Sequence, residues 1–378
     1  MFKKIYPVLL AAVISCVVTA IATFVFTTVY NTSYPENKKL NIIDAYLEKM
    51  YYKDYNKEYA MEQAYEGYVA SLGDQYTEYF TKEEFNAFNT YMDNSYCGIG
   101  VSVRNDSQKD AIVVGGVFDN SPAKDAGIEQ GDIIKKVEGK VYNGTQLDEA
   151  VSVIKGKEGT SVKITVVKKA TGKEQELVVK RQNVVVDTVE SEIIDGNIGY
   201  IYISQFGNNT AEEFAIKLDK LMNKKIKGLV VDVRNNPGGT TTAVEAITSC
   251  LLPEGKVIYY TSDKSGNKDY IKTKMNGVDI PLVVLANKNS ASASEILVGA
   301  VKDHKRGTIV GEKTFGKGVV QTLVDLEDGT ALKITVERYY TPNGNYIHGN
   351  GIEPDYHIEL GEKTDTQLEK AIEILKNQ

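Results

Sequence analysis

The longest uninterrupted run of apolar residues lies at the amino terminus. Lys3 and Lys4 precede an uncharged stretch, residues 5–30, which is long enough to cross a bilayer as a helix. Because positive charge stays on the cytoplasmic side, this pattern predicts residues 1–34 as a transmembrane anchor and the remainder of the chain as extracytoplasmic.

Two other interpretations of this run stay open. Ala20 and Ala22 have the spacing of a signal-peptidase site, which would make the protein secreted, although the run continues apolar through residues 24–26. Residues 13–16 (VISC) are similar to a bacterial lipobox, although the apolar continuation after Cys16 is atypical of a lipidated mature N-terminus. We expect the uncleaved anchor, attached to the cell membrane by a single pass.

The next stretch, residues 35–91, is predicted to be an N-terminal helical region. Apolar residues recur at helical spacing in two segments, first at Leu40, Ile43, Leu47 and Met50 and then at Met61, Ala64, Tyr68 and Leu72. Periodicity does not separate packing onto the next domain from dimerisation, so a homodimer stays open.

From residue 92 to residue 182 the pattern changes to short β-type runs separated by turns. The predicted strands are residues 111–114, 132–137, 162–168 and 176–180. One helix interrupts them, and it begins at Thr145 with the spacing of a capping box, Thr145 to Asp148. A small, mostly β domain of this kind can bind a peptide along an exposed strand edge.

Residues 183–361 alternate strands with helices, which predicts an α/β domain. The predicted elements are strands at 198–203, 229–233 and 282–286, and helices at 242–252, after Ser290, and from Thr210 with Glu213 as its cap. Sites in such sheets gather beyond the carboxyl ends of strands, where residues 234–239 (RNNPGG) and 289–295 (NSASASE) lie. Residues 362–378 are predicted to be a C-terminal helix that could pair with the N-terminal helices in a dimer.

Composition excludes several classes of function. The net charge is −7, with no basic stripe that would indicate nucleic-acid binding. The three cysteines lie far apart, and the three histidines form no metal-binding spacing. We therefore expect no metal site, no cofactor and no disulfide framework.

Serine and lysine are the candidates for chemistry. Ser290, Ser292 and Ser294 open a predicted helix, where serine commonly serves only as a cap. Lys317 lies in a glycine-rich loop between apolar strands, where burial could remove its proton at neutral pH. His304 lies at a charged helix end, which is typical of a solvated histidine. Physical reasoning alone leaves the structural roles of these residues open.

Two motifs resemble the signatures of PDZ domains and occur in the order expected for one. Residues 97–101 (CGIGV) resemble the carboxylate-binding loop, and residues 121–127 (SPAKDAG) with 131–134 (GDII) resemble the later turn and strand. The resemblance implies a PDZ domain over residues 92–182.

Such a domain would bind a peptide or protein C-terminal tail. The backbone N–H groups of Gly98, Ile99 and Gly100 would face the terminal carboxylate, and Leu147 and Val151 on the helix would line the pocket. The expected ligand is an apolar C-terminus.

Residues 290–295 (SASASE) and 315–318 (FGKG) resemble the motifs of the carboxyl-terminal processing, or tail-specific, serine proteases. The resemblance implies Ser292 as nucleophile, Lys317 as general base and Gln321 as the third catalytic residue. Residues four apart on a strand share a face, so Gln321 can hydrogen-bond and orient the amine of Lys317.

The same resemblance assigns supporting roles. Gly238 and Ala293 would donate N–H groups to the oxyanion, and Asp303 and Glu295 match positions implicated in activity. The implied fold is a crotonase-like ββα protease core with an inserted PDZ domain. The resemblance covers the chain after the anchor, including residues 72–77, 339–344 and 351–355.

The predicted function is that of an extracytoplasmic serine endopeptidase, acting on exported proteins recognised through their C-terminal tails. A catalytically silent PDZ adaptor is the alternative, and the intact set of Ser292, Lys317 and Gln321 argues against it. Acyl-thioester chemistry at Gly238 and Ala293, by analogy with the crotonase architecture, is a more remote alternative.

Overall fold

The computed structural model describes residues 35–377, which form two compact units divided between Gly73 and Asp74. None of the helices in this part of the chain is both long and apolar enough to cross a bilayer. The predicted anchor, residues 1–34, lies outside the described residues.

The described part of the first unit contains the two helices predicted there, α1 (Pro35–Met50) and α2 (Lys57–Ala70). The Asn56 side chain caps α2 by accepting from the N–H of Tyr59, which satisfies one of the unpaired donors at the helix start. Many apolar side chains of this unit are exposed, among them Ile42, Ile43, Tyr46, Met50, Tyr52 and Tyr68.

The second unit begins with β1 (Glu78–Phe80) and α3 (Lys82–Met92). β1 pairs with residues 331–333 of a strand near the end of the chain. Residues 74–91, which were expected to be part of the N-terminal helical region, therefore belong to the second unit. Thr81 and Glu84 form a capping box at the start of α3.

The predicted mostly β region contains a six-stranded antiparallel sheet and a separate two-stranded pair. Its elements are β2 (Ser95–Gly98), β3 (Val101–Asp106), β4 (Ala111–Val117), α4 (Pro122–Asp125), β5 (Ile133–Val137), β6 (Lys140–Val141), α5 (Leu147–Ile154), β7 (Ser161–Val167), β8 (Glu174–Lys180) and β9 (Gln182–Val185). The sheet order is β3-β4-β5-β7-β8, with β6 on β5, while β2 pairs with β9.

The helix of this domain starts differently from the prediction. A 3-10 turn, Gly144–Gln146, precedes α5, and the Oε1 atom of Gln146 accepts from the N–H of Asn143 at 3.3 Å. The predicted box at Thr145 and Asp148 was therefore wrong, because the amide side chain of Gln146 reaches the backbone one turn earlier.

The predicted α/β region is built on a six-stranded sheet in the order β10-β11-β12-β15-β16-β19. The strands are β10 (Val189–Ile194), β11 (Ile198–Ile203), β12 (Gly228–Asp232), β15 (Leu282–Ala286), β16 (Thr308–Gly311) and β19 (Tyr356–His357). All neighbours are parallel except β10 and β11, as the predicted strand and helix alternation requires.

Helices cover both faces of this sheet. They are α6 (Thr210–Asn223), α7 (Thr241–Ser249) and α8 (Ala293–Asp303) on one face, and α9 (Thr366–Lys376) on the other. Ala371 and Leu375 of α9 are buried with Val230 and Val283 of the sheet. α9 thus closes the core of its own chain.

Glu213 of α6 does not act as the predicted helix cap. Its Oε2 atom accepts from the backbone N–H groups of Thr188 at 2.8 Å and Val189 at 3.1 Å, so it ties the helix to the start of β10. The short separation of Thr210 and Glu213 in the sequence suggested a local hydrogen bond. In the folded chain Glu213 instead bonds to a distant segment, because α6 packs against it.

A second sheet of five strands completes the unit. Its members are β1, β13 (Val257–Asp263), β14 (Lys268–Lys272), β17 (Val319–Asp325) and β18 (Ala331–Tyr340), with β18 central between β1, β13 and β17. The hairpin β13–β14 was not predicted, and it separates α7 from β15 in the chain. The region is therefore an α/β core with an added antiparallel sheet.

Candidate active site

Ser292 is the last residue before α8 and has a strained backbone, with φ of 57° and ψ of −113°. Such dihedrals are costly for a residue with a Cβ atom, and they are typical of sharp turns that expose a nucleophile between a strand and a helix. The side chain is half-exposed and lines a cleft of about 570 Å³.

The two neighbouring serines hold the turn in place. The hydroxyl of Ser290 donates to the carbonyl of Val233 at 2.8 Å, and that of Ser294 donates to the carbonyl of Asn236 at 2.9 Å. Both serines are fully buried. They join the nucleophile turn to the chain that follows β12, so Ser292 is the member of the trio that faces the cleft.

Glu295 connects the predicted nucleophile with the predicted base. This carboxylate is fully buried and accepts four hydrogen bonds, from the N–H of Ser292, the hydroxyl of Thr314, and the N–H groups of Gly316 and Lys317, at 2.6–2.9 Å. Hydrogen bonds to a buried charge are strong, so Glu295 fixes the two loops relative to each other.

Replacing Glu295 by glutamine is expected to lower the free energy of unfolding by about 3 kcal/mol and kcat/KM by about 10²-fold. All four partners are donors, so the new NH₂ group would face N–H or O–H groups. Urea unfolding and peptide cleavage measure the two effects. The exposed Glu254→Gln serves as the matched control, and a Glu295→Gln protein as stable and active as this control would contradict the assignment.

Lys317 lies in the loop between β16 and β17, as predicted, and lines the same cleft as Ser292. Burial lowers the pKa of its amine, with a smaller contribution from the like charge of Lys333. Its amine lies 4.6 Å from the centre of the Tyr76 ring. Within the described residues no hydrogen bond joins this amine to the hydroxyl of Ser292.

Tyr339 fixes the backbone around both residues. It is 1% exposed, and its hydroxyl lies 2.7 Å from the carbonyl oxygen of Lys317 and 3.1 Å from that of Ser292. In the sequence, Tyr339 stands out only as one residue of the family motif at residues 339–344. Its bridging position depends on the long-range pairing of β18, which no local pattern shows.

Gln321 lines the cleft but has a different partner from the one predicted. Its amide group donates to the hydroxyl of Thr335 on β18 at 3.4 Å rather than to the amine of Lys317. The expected shared face fails because Lys317 precedes β17 and the register of β17 shifts between Val320 and Gln321.

The two predicted oxyanion donors differ in availability. The N–H of Ala293 has no acceptor among the residues that the structure describes, whereas the N–H of Gly238 donates to the side-chain oxygen of Asn236 at 2.9 Å. Gly238 has a φ of 105°, and a Cβ atom there would lie 2.8 Å from that of Ser292. This close approach to Ser292 requires glycine.

Asn236, for which the sequence predicts no specific role, organises the loop at residues 234–239. Its side chain is fully buried, accepts from Gly238 and donates to the carbonyl of Ile203 at 2.9 Å. Its own carbonyl accepts from the N–H of Ala291 at 3.0 Å. Asn236 therefore joins the end of β11, the glycine loop and the nucleophile turn.

Arg234 braces the same loop from the other side. Its guanidinium binds the carboxylates of Asp232 and Asp365 at 2.6–3.0 Å. Burial opposes the charge, but the hydrogen bonds with Asp365 and Asp232 raise the pKa of Arg234 overall. The pair locks the end of β12 to the start of α9.

Asp303 is not brought to the cleft. It ends α8, eleven residues after Ser292, which corresponds to about 16 Å along a helix. Its carboxylate accepts from the N–H of Asn343 at 2.8 Å. This secondary candidate therefore lies at the opposite end of α8 from Ser292, and its supporting role stays a prediction.

The predicted peptide-binding loop of the PDZ region follows β2. Gly98, Ile99 and Gly100 are all buried, and the side chain of Ile99 is fully enclosed in the domain core. The ring of Tyr96 lies against Gly98, and its hydroxyl lies 3.4 Å from the carbonyl of Val101. A bound carboxylate would share this loop with the phenol.

Leu147 and Val151 lie on α5 as predicted and are both half-buried. They are four residues apart and so occupy one face of the helix. Both predicted pocket residues are thus partly exposed on one face of α5, and their role in binding stays a prediction.

Comparisons with known proteins agree with this description. The model of peptidase family S41 matches residues 197–358, and that of the PDZ domain matches residues 89–167. The carboxy-terminal processing protease CtpA of Bacillus subtilis (strain 168) is 37% identical over 85% of this chain and 69% of its own. A probable CtpA-like serine protease of Staphylococcus haemolyticus (strain JCSC1435) is 36% identical over 85% of this chain and 64% of its own.

A solved structure is also similar. The photosystem II D1 C-terminal processing protease is 29% identical, with a TM-score of 0.51, over 89% of this chain and 90% of its own. The chain spans between 64% and 69% of the length of the two bacterial relatives. The serine turn, the half-buried lysine and the PDZ domain thus occur together in a chain that belongs to the carboxyl-terminal processing serine proteases of peptidase family S41.

Proposed function

We propose that this protein is an extracytoplasmic serine endopeptidase that cleaves exported proteins recognised through their C-terminal tails. The observation that carries the proposal is the buried carboxylate of Glu295, which joins the backbone of Ser292 to that of Lys317 at the edge of one cleft. A structural serine and an ordinary loop lysine need no such shared support.

The first chemical step is attack by the hydroxyl oxygen of Ser292 on the scissile carbonyl carbon. Neutral Lys317 takes the hydroxyl proton as the new C–O bond forms. For this step the amine, which lies 4.6 Å from the centre of the Tyr76 ring, must come within hydrogen-bonding distance of the Ser292 hydroxyl. The step therefore couples a lysine movement to deprotonation.

The resulting oxyanion needs donors. Ala293 supplies an N–H that has no acceptor within residues 35–377, and Gly238 supplies a second one when its N–H exchanges the side-chain oxygen of Asn236 for the substrate oxygen. The site as described thus holds one donor ready and one donor in reserve.

Collapse of the tetrahedral intermediate breaks the C–N bond. Protonated Lys317 returns its proton to the leaving amine, and an acyl-enzyme remains on Ser292. Water then attacks the ester, with Lys317 accepting its proton, and the serine hydroxyl is restored as the acid product leaves.

Substrate selection is assigned to the PDZ domain. A tail adds along β3 beside α5, with its carboxylate at residues 98–100 and its last side chain near Leu147 and Val151. An apolar tail suits this half-buried helix face. The apolar residues Phe88, Met92 and Leu323 of the catalytic cleft offer additional contacts for the segment being cleaved.

The proposed location is the outer side of the cell membrane. It depends on the basic and apolar pattern of residues 1–34, which predicts a single-pass anchor, with secretion after signal cleavage as the alternative.

The proposal is tested with the full chain in detergent and one unstructured substrate protein that ends in either an apolar or an acidic tail. We expect the apolar-tailed form to be cleaved about 10-fold faster, which corresponds to about 1.4 kcal/mol of tail binding. Gel analysis and mass spectrometry of the fragments give the rates.

Ser292→Ala provides the control, because it keeps the PDZ domain intact. Cleavage of the substrate by this variant at the wild-type rate, or tail binding by the wild type without cleavage, would contradict the proposed function. Equal rates with the two tails would contradict only the role of the PDZ domain.

A further inference from the structure

The segment just before β1 contacts the predicted base, Lys317, and has no role in the steps described above. Residues 74–77 lie beside β18, because β1 pairs with that strand and the hydroxyl of Thr77 accepts from the N–H of Thr335 at 3.0 Å. This segment precedes the PDZ domain in the chain, while the catalytic residues follow it.

Tyr76 contacts the predicted base directly. The amine of Lys317 lies 4.6 Å from the centre of its ring, and the ring packs edge-on against His348 at 6.0 Å. An aromatic face attracts a protonated amine and has no comparable attraction for a neutral one. The contact with the Tyr76 ring therefore favours the protonated state of Lys317.

Asp74 fixes this tyrosine, and it is linked through Thr77 and Thr335 to Gln321, the predicted third catalytic residue. Its carboxylate accepts from the N–H of Tyr76 at 3.1 Å and from the hydroxyl of Thr77 at 2.6 Å. The hydroxyl of Thr77 in turn accepts from the N–H of Thr335 at 3.0 Å, and the hydroxyl of Thr335 accepts from the amide of Gln321 at 3.4 Å. One short turn thus supports both Lys317 and Gln321.

The charge balance around the amine includes several other groups. Those that act on Lys317 are Lys333, Glu78, Asp74 and Glu295, and the neighbouring polar ring is that of His348, whose Nδ1 accepts from Gly318. Glu78 and Lys333 form an ion pair at 2.6 Å. Tyr76 is the aromatic face against which the amine rests.

We propose that Tyr76 is a positioning residue for Lys317, whose ring holds the protonated amine and thereby sets the pH at which the base becomes available to Ser292. This inference rests on the proposed function. Deprotonation weakens the contact with the ring and releases the amine toward the nucleophile.

The test compares Tyr76→Phe with Tyr76→Leu in the full chain. Phenylalanine keeps the aromatic face, whereas leucine keeps an apolar cover without it. We expect the rising limb of the kcat/KM profile to move to lower pH by about 0.5 to 1 unit in Tyr76→Leu and to stay in place in Tyr76→Phe. An unmoved or upward-shifted limb in Tyr76→Leu would overturn the proposal, as would equal shifts in the two variants.

A second measurement does not depend on turnover. NMR titration of isotope-labelled lysine in Ser292→Ala, with the Lys317 signal assigned by its loss in Lys317→Met, reports the ionisation of the amine directly. The same downward shift on adding Tyr76→Leu is expected, and its absence would overturn the proposal. Failure of the proposed function would instead appear as cleavage by Ser292→Ala or as an inactive wild type.

Discussion

Ser292→Ala is expected to lower kcat/KM for peptide cleavage by at least about 10⁴-fold, because no acyl-enzyme can form without the hydroxyl. The fold is expected to survive, since the hydrogen bonds of Ser292 with Glu295 and Tyr339 are made by its backbone N–H and C=O, which alanine keeps. Fragment analysis by mass spectrometry measures the loss, and the melting temperature measures the fold.

Ser294→Ala is the matched control two residues away. It removes the buried hydrogen bond to the carbonyl of Asn236, so it is expected to cost about 1 kcal/mol of stability and to leave most of the activity. If the two variants lost activity equally, or if Ser292→Ala remained active, the assignment of the nucleophile would be wrong.

Lys317→Met is expected to lower kcat/KM at neutral pH by about 10⁴-fold, because methionine fills similar space but accepts no proton. The backbone bonds of Lys317 to Glu295 and Tyr339 do not involve its side chain and should persist. Steady-state cleavage assays measure the effect. An unchanged pH profile in Lys317→Met at reduced rate would contradict the role of the base.

The pH dependence of kcat/KM in the wild-type protein also tests the role of Lys317 as the base. Burial lowers the pKa of Lys317, so kcat/KM is expected to rise with pH and to level off below the ordinary lysine value of 10.5. A flat profile from neutrality upward, with chemistry limiting the rate, would contradict deprotonation as the activating step.

The lowered pKa of Lys317 also affects how the free energy of unfolding depends on pH. Because the folded pKa of Lys317 lies below the unfolded one, the unfolded chain binds more protons between these values, and this group makes the free energy of unfolding rise with pH. Lys317→Met removes that contribution. It should therefore be at least as stable as the wild type at neutral pH, which separates lost chemistry from lost fold.

The sequence predicted the catalytic segments well because their positions depend on local rules. A buried strand, a short turn and a helix start place Ser292, and a glycine-rich loop between strands places Lys317. Family motifs carried the assignment of roles, since cap serines and loop lysines are common.

The interactions that link these segments could not be predicted in the same way. Asn236 holds the N–H of Gly238, and Thr335 receives the amide of Gln321, through contacts set by tertiary structure. The register shift before Gln321 is invisible to a rule of alternation. Glu213 likewise bonds to β10 because the helix packs there.

The strand pairing of the second sheet could not be predicted from local sequence patterns either. β1 and β18 pair across more than half of the chain, and the PDZ domain lies between them in sequence. Such pairing depends on which strand edges the rest of the fold leaves open. It is what brings Tyr76 to Lys317.

The central claim is that Ser292 is a nucleophile activated by Lys317, and covalent labelling with a small serine-directed phosphonofluoridate tests it most directly. Intact-protein mass spectrometry should show one adduct per wild-type chain, mapped to Ser292 by peptide analysis, with none on Ser292→Ala and slowed labelling of Lys317→Met by about 10²-fold or more. An adduct on another residue, or labelling of Lys317→Met at the wild-type rate, would contradict the account.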